Sequence, residues 1–310
     1  MINLMGAPNI ENLNLSGIVT DNITFSDRWT SLKSINISRT DINTLNYAGS
    51  ISTILDLSRH RDLEYIQCND NASVTEVKFP NRDGHYTKLG NNAFSDCPYL
   101  SRLIGNFLIT GTKVFTNCSS LRLNNDYTGV ILESPFIEGN FCNISFDDEL
   151  SSYAEMFEGC ASLSGQDFRY IMVRIKPNVV SLNSMFRGCT STNVAIWRDI
   201  FNKCPNVTDI TSFCEGSGIT GAFYSNTSDN TGILGYLPNL INASYAFART
   251  NIQWIDNNAF LGCSSIRDAN FMFQGCSLLK SCDDVYNPES GYLHSKDFFL
   301  NLTGLLSVVP

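Results

Sequence analysis

The feature that most constrains this chain is a unit that keeps returning along it. Leu89-Gly90-Asn91-Asn92-Ala93-Phe94-Ser95-Asp96-Cys97 and Ile255-Asp256-Asn257-Asn258-Ala259-Phe260-Leu261-Gly262-Cys263 read alike: apolar, x, Asn, Asn, Ala, Phe, x, x, Cys. The F-x-x-C core recurs at Phe115/Cys118, Phe157/Cys160, Phe186/Cys189, Phe201/Cys204 and Phe273/Cys276. Seven of the eleven cysteines are thereby assigned to one repeat position. Phe213 and Phe247 read as degenerate copies, with Gly216 and Thr250 where Cys would stand. Self-similarity of this kind marks a repeat architecture, in which each unit buries its apolar face only against its neighbours.

A second element is apolar-x-x-apolar-x-apolar, at Ile10-Leu13-Leu15, Leu32-Ile35-Ile37, Leu63-Ile66-Cys68 and Val74-Val77-Phe79, with a looser copy at Ser52-Leu55-Leu57. Its closing period of two predicts a short strand with one face buried. Asn, Asp, Ser, Gly and Pro fill the intervals, as tight turns require. Elements start about 20–26 residues apart in the clearest stretches, within the leucine-rich-repeat range. Elsewhere the spacing is irregular, with an insertion around Gly218 to Pro238. The expectation is a repeat solenoid: a right-handed, leucine-rich-repeat-like coil with short parallel strands and short helical turns. Phe would fill the interior from such a turn, and Cys, three residues on, would share its helical face and pack as a small apolar residue.

With these motifs in hand, the chain resembles the BspA-like leucine-rich repeats, which couple an L-x-x-I-x-I strand to an A-F-x-x-C-x-x-L turn. The Met-Phe copies at Met156-Phe157, Met185-Phe186 and Met272-Phe273 are similar to a related bacterial surface-repeat variant. The resemblance covers about residues 10–282 and implies one solenoid across 1–310, part of a larger chain or assembly. It also implies a role in adhesion at a cell surface, and it carries no catalytic residues.

Composition narrows the remaining classes. A formal charge of −9 and no cluster of Lys and Arg argue against nucleic acid, whose binders carry a basic stripe. No apolar run approaches the roughly 18 residues that span a bilayer, so no membrane insertion is expected. Met1 to Asn12 lacks a basic start and an apolar stretch, so no signal peptide is expected either. Ten N-x-[ST] triplets, Asn36-Ile37-Ser38 and Asn117-Cys118-Ser119 among them, are read as a by-product of an Asn-rich chain.

No cofactor or metal site is expected. There is no C-x-x-C pair, and His60, His85 and His294 are scattered, each read as a surface residue. Asp147-Asp148-Glu149 and Asp283-Asp284 lack the spacing of a calcium loop and read as solvated charge. Cys68, Cys142, Cys214 and Cys282 fall outside the repeat position, Cys68 and Cys282 where an inward strand residue should be. Trp29, Trp197, Trp254, Tyr224 and Tyr236 are not placed by the repeat.

Two functional expectations follow, neither of them enzymatic. In the first, the strand-lined surface binds a protein or glycan, with Asn14, Asn36, Asp56, Gln67 and Lys78 as the partner-facing residues between inward positions. In the alternative, the chain is a structural component of a large assembly, such as a phage virion tail or fibre protein; the expected location is a virion, or a cell surface as part of a larger protein. The chain's uncapped ends would then be covered by other subunits, with Phe298, Phe299, Leu305, Leu306 and Val308 as the end contact.

Overall fold

The computed structural model describes residues 2–4, 10–25, 32–38, 41–47, 50–52, 54–81, 84–123, 142–197, 199–223, 233–255, 259, 263 and 265–279. Phe298, Phe299, Leu305, Leu306 and Val308 lie outside them, as do Cys282, Phe260, His294, Trp29, Tyr224 and Asp283-Asp284. The strands are mostly parallel, in a curled sheet, and helices are few. The chain divides into two compact units, 1–147 with 159–163 and 148–158 with 164–310.

In the first unit the strands are β1 (Ile2–Asn3), β2 (Asn12–Asn14), β3 (Val19–Phe25), β4 (Ser34–Asn36), β5 (Asp41–Tyr47), β6 (Ser50–Ser52), β7 (Ile54–Asp56), β8 (Tyr65–Gln67), β9 (Glu76–Lys78), β10 (Thr87–Leu89), β11 (Arg102–Ile109) and β12 (Cys142–Phe146). One sheet runs β1-β3-β5-β6 and is parallel except for its last pair. The other is parallel throughout, in the order β2-β4-β8-β10-β11-β9-β7, with β12 also on β11. Strands of one ladder alternate in sequence with those of the next, and this accounts for the irregular spacing. The steps between β7, β8, β9 and β10 are read in sequence as short repeats, but neighbours within one ladder lie further apart, as Leu13 and Ile35 or Val77 and Leu103 do.

Register puts Leu13, Ile35, Ile66, Leu89, Ile109 and Phe146 in one buried column. Leu55, Val77 and Leu103 form a second. Between the columns the rings of Phe79, Phe94, Phe107 and Phe115 meet at centroid distances of 5.0–6.3 Å. β11 serves both ladders: Arg102–Ile104 pair with β9, and Phe107–Ile109 with β10. Gly105 stands at the crossing with φ +99, where a Cβ would lie 2.7 Å from the Phe79 carbonyl oxygen. Only glycine fits so close an approach in that conformation.

The second unit carries α1 (Gly165–Met172), β13 (Thr220–Phe223), the parallel β14 (Asn251–Ile255) and a 3₁₀ turn at Ile233–Tyr236. Ser164 caps α1 in a capping box with Asp167, and Phe168, Ile171 and Met172 are buried. Its main element is a stack of turns. The N–H groups of Leu182, Ser184, Phe186 and Gly188 donate to the carbonyls of Asp209, Thr211, Phe213 and Glu215. Ile210, Ser212, Cys214 and Gly216 repeat the pattern onto 242–248, and Ala243, Tyr245, Phe247 and Arg249 onto 268–274.

These segments correct the expected helical turn. Alternate N–H groups bond the next turn, and the others close within their own, as Cys189 does onto Phe186. A left-handed residue sits two before and two after the Phe position, as at Ser184 and Gly188 or Phe271 and Gly275. That conformation explains the Gly, Asn or Asp before most of the repeat cysteines.

The register also corrects two assignments. Phe186 aligns with Cys214, not Phe213, so Phe213 takes the Met185 place and Ser217, not Gly216, the Cys place. The F-x-x-C at Phe201/Cys204 lies outside this stack. Phe201 packs on Phe213 from beside the stack, and a separate set of bonds joins Leu234 to Ala259 and Cys263 to Leu237. The single repeat position read from sequence is therefore more than one structural position, because F-x-x-C marks a tight inward turn in more than one part of the fold.

Candidate binding faces

The outward residues of the first unit form rows fixed by strand register. Asn12, Ser34, Tyr65 and Lys88 make one row, and Asn14, Asn36 and Gln67 the next. Together they line a shallow cleft of about 280 Å³. Of the five residues expected to face a partner, Asn14, Asn36 and Gln67 are brought together here. Asp56 and Lys78 lie on the other ladder, where Lys78 is 3.6 Å from Asp56 and 3.8 Å from Glu76.

Several of these polar groups already serve the fold. Asn14 Oδ1 accepts from the Ser16 N–H at 3.1 Å, Asn36 Oδ1 from the Ser38 N–H at 3.0 Å and Asp56 Oδ1 from the Ser58 N–H at 3.1 Å. Asp209, Asn242 and Asp268 do the same two residues on. Each is an Asx turn, which bends the chain out of the strand. Asn12 Oδ1 accepts from Ser34 Oγ at 2.6 Å. Gln67 Nε2 donates to Asn69 Oδ1 and to the Asn92 carbonyl.

Sequence reasoning missed two residues of this face. Tyr65 is 47% exposed, and the Lys88 ammonium stands 5.5 Å from the centre of its ring. Both occupy the first outward position of a strand. The candidates were drawn from the second, and the alternation itself could have pointed to them.

The second unit has a larger groove, about 880 Å³, lined by Asn178, Asn206 and Asn239 on one side and Val180, Thr208, Ile241 and Arg267 on the other. The three Asn side chains stitch turns together. Asn206 Nδ2 donates to the Pro177 carbonyl, Asn239 Nδ2 to that of Pro205, and Asn178 Nδ2 to that of Asp148 at 2.6 Å. Val180 and Ile241 are 40% and 46% exposed. The signal in the sequence is the recurring Pro-Asn-apolar triplet at 177, 205 and 238, which lies outside the F-x-x-C units.

The ten described cysteines are all buried thiols. Burial pushes those of Cys204 and Cys263 up to about 12, and raises Cys118, Cys214 and Cys276 as well. Cys68 is raised first by its hydrogen bond with Cys97, then by burial. A thiol held protonated and away from solvent is a poor nucleophile.

His60, expected at the surface, is 1% exposed. Its turn folds inward, with its N–H on the Leu57 carbonyl and its own carbonyl accepting from Leu63. His85 is half-buried, its Nε2 2.9 Å from the Leu63 carbonyl oxygen. Asp148 pairs with Lys176 at 2.7 Å. Among the described residues no group of His, Cys, Asp and Glu could hold a metal ion, and no helix is long and apolar enough to cross a membrane. Trp197 is half-buried between Phe168 and the Arg169 guanidinium. No family model matches the chain, and no curated protein matches it.

Proposed function

We propose that this chain is a non-enzymatic binding solenoid of the BspA-like leucine-rich-repeat kind, one that holds a protein or glycan on its strand-lined repeat surface. The observation that carries the reading is the in-register row of outward polar side chains over the first unit, from Asn12 and Asn14 to Tyr65, Gln67 and Lys88. Rows of this kind offer a regularly spaced surface to an extended partner. The buried, protonated thiols support the same reading, since the ten described cysteines serve packing.

The test is to present the purified chain to arrays of extracellular proteins and of glycans, beside a variant with Tyr65→Ala and Lys88→Ala together. The reading expects saturable binding that this variant loses while its melting transition is kept. Binding to nothing, or binding that survives the variant, overturns it.

A further inference from the structure

The hydrogen bonds of the first unit's face leave an uneven inventory of polar groups. The Oδ1 atoms of Asn12, Asn14 and Asn36 are taken by Ser34 Oγ, the Ser16 N–H and the Ser38 N–H. A backbone N–H can only donate, so at Asn14 and Asn36 it fixes which end of the amide is nitrogen. With Ser34 Oγ donating to Asn12, the three Nδ2 groups remain as donors with no partner among the described residues. Lys88 adds an ammonium that forms no ion pair among them, held beside the exposed Tyr65 ring. Among the described residues no Asp or Glu lines the cleft, although the chain has 30 Asp and Glu against 21 Lys and Arg. At the rim, Glu11 lies 3.3 Å from Lys33, and the exposed Glu64 stands beside Lys33 in the same row. The cleft lining is rich in donors, has Lys88 as its charged residue and presents one aromatic ring.

We propose that this cleft binds a carboxylate-bearing sugar, a uronate unit within an acidic glycan. The proposal rests on the binding reading above and names its ligand class. The sugar carboxylate pairs with the Lys88 ammonium, and the hydroxyl and ring oxygens accept from the Asn12, Asn14 and Asn36 amides. The apolar face of the pyranose covers the part of the Tyr65 ring that Lys88 leaves open, since an aromatic face attracts C–H groups as well as cations.

Charge complementarity selects an acid over a neutral sugar. Sheet pairing favours a glycan over a peptide strand at Tyr65 and Lys88: β4, β8 and β10 are each hydrogen-bonded to a strand on both sides, and strand addition would be confined to β2, at the other end of the cleft. Parallel strands repeat at about 4.8 Å, close to the length of one pyranose residue in a chain. The cleft, about 280 Å³, is at the small end of ligand sites and suits one or two sugar rings.

The experiment is calorimetric titration of the full chain with oligogalacturonate, with its fully methyl-esterified form and with an acidic peptide of equal charge. The proposal expects the acid oligosaccharide to bind, and the ester to lose roughly tenfold or more, the usual weight of one charge-assisted hydrogen bond. Lys88→Gln and Tyr65→Ala should each weaken the acid form by a similar factor. Both side chains are at least partly exposed, and circular dichroism of each variant verifies the fold. Equal affinity for acid and ester, unchanged affinity in both variants, or preference for the acidic peptide overturns the proposal. If oligogalacturonate fails while array binding persists and still depends on this face, only the ligand class is wrong. If array binding also fails, the binding reading falls with it.

Discussion

The Cys189 thiol donates to the main-chain carbonyl of Phe157, 3.1 Å away on the neighbouring turn of the stack. Cys276 reaches Phe247 at 3.2 Å in the same way, and in the first unit Cys118 reaches Phe94 and Cys160 reaches Phe115, both at 3.0 Å. F-x-x-C is thus a pattern between turns as much as within one: Phe supplies an acceptor, and the next Cys supplies both a small apolar volume and a donor. Where Thr250 replaces Cys, its hydroxyl turns to the Phe247 carbonyl of its own turn at 2.7 Å.

Cys189→Ser should therefore destabilise by about 1–3 kcal/mol, because the shorter C–O bond leaves a buried hydroxyl short of Phe157. Cys189→Ala should cost less. Urea denaturation of the two variants checks the order; Ala worse than Ser would show that the thiol's hydrogen bond outweighs its packing. Ser217 already occupies a Cys place, and its buried hydroxyl makes no well-formed hydrogen bond. Ser217→Cys should leave stability unchanged or raise it.

The rings carry more of the stability. Phe94 lies 5.9 Å from Phe115, and Phe186 5.7 Å from Phe157, each pair near-parallel and buried. Phe94→Ala and Phe186→Ala should each cost about 3–5 kcal/mol, as truncation of a buried Phe does. A loss below about 1 kcal/mol at both positions would mean that these rings are not core. Phe260, the equivalent residue of the last Asn-Asn-Ala-Phe copy, lies outside the described residues.

Much of this was legible in the chain. Period two at Leu13/Leu15, Ile35/Ile37 and Ile66/Cys68 marked strands whose inward residues are buried. F-x-x-C marked turns that point inward. Three things were not legible, each for a physical reason. A Phe-Cys spacing of three is shared by a helix and by a closed turn, so the motif alone could not separate them. Phe213 and Cys214 are both apolar, so a one-residue slip left the pattern intact, and only the hydrogen bond from Phe186 N–H to the Phe213 carbonyl fixes it. The outward Asn and Asp residues look alike in sequence whether they meet a partner or bend their own chain, and at Asn14, Asn36 and Asp56 the side-chain oxygen does the latter.

Gly105 tests the crossing of the two ladders. Gly105→Ala must either push the Phe79 carbonyl aside or lose the φ of +99, and either costs about 1–3 kcal/mol. Gly84→Ala is the control, since it has a positive φ but nothing within 4 Å of its added carbon. The midpoint of Gly105→Ala should fall well below that of Gly84→Ala. Equal midpoints would mean that the close approach at Phe79 is absent.

The thiols set a pH dependence. In the unfolded chain Cys204 and Cys263 ionise around the ordinary 9.0, and in the folded chain around 12. Above pH 9 the unfolded state binds fewer protons than the folded one, so stability falls with rising pH. This contribution is complete below pH 9 and lost as pH climbs towards 12. The melting temperature should drop over that window, and Cys204→Ala should flatten the slope. Slow labelling by a thiol reagent at pH 8 in the native state, and fast labelling in urea, is the companion result.

The central claim is that successive turns are bonded to one another, and amide hydrogen exchange tests it most directly. Leu182, Ser184, Phe186 and Gly188 donate to Asp209, Thr211, Phe213 and Glu215 on the next turn. The account predicts slow exchange at all four amides, and loss of that protection in Phe213→Ala, which removes a packing partner without touching the donors. Fast exchange at these amides in the native protein, at the rate of an unpaired surface turn, would contradict it.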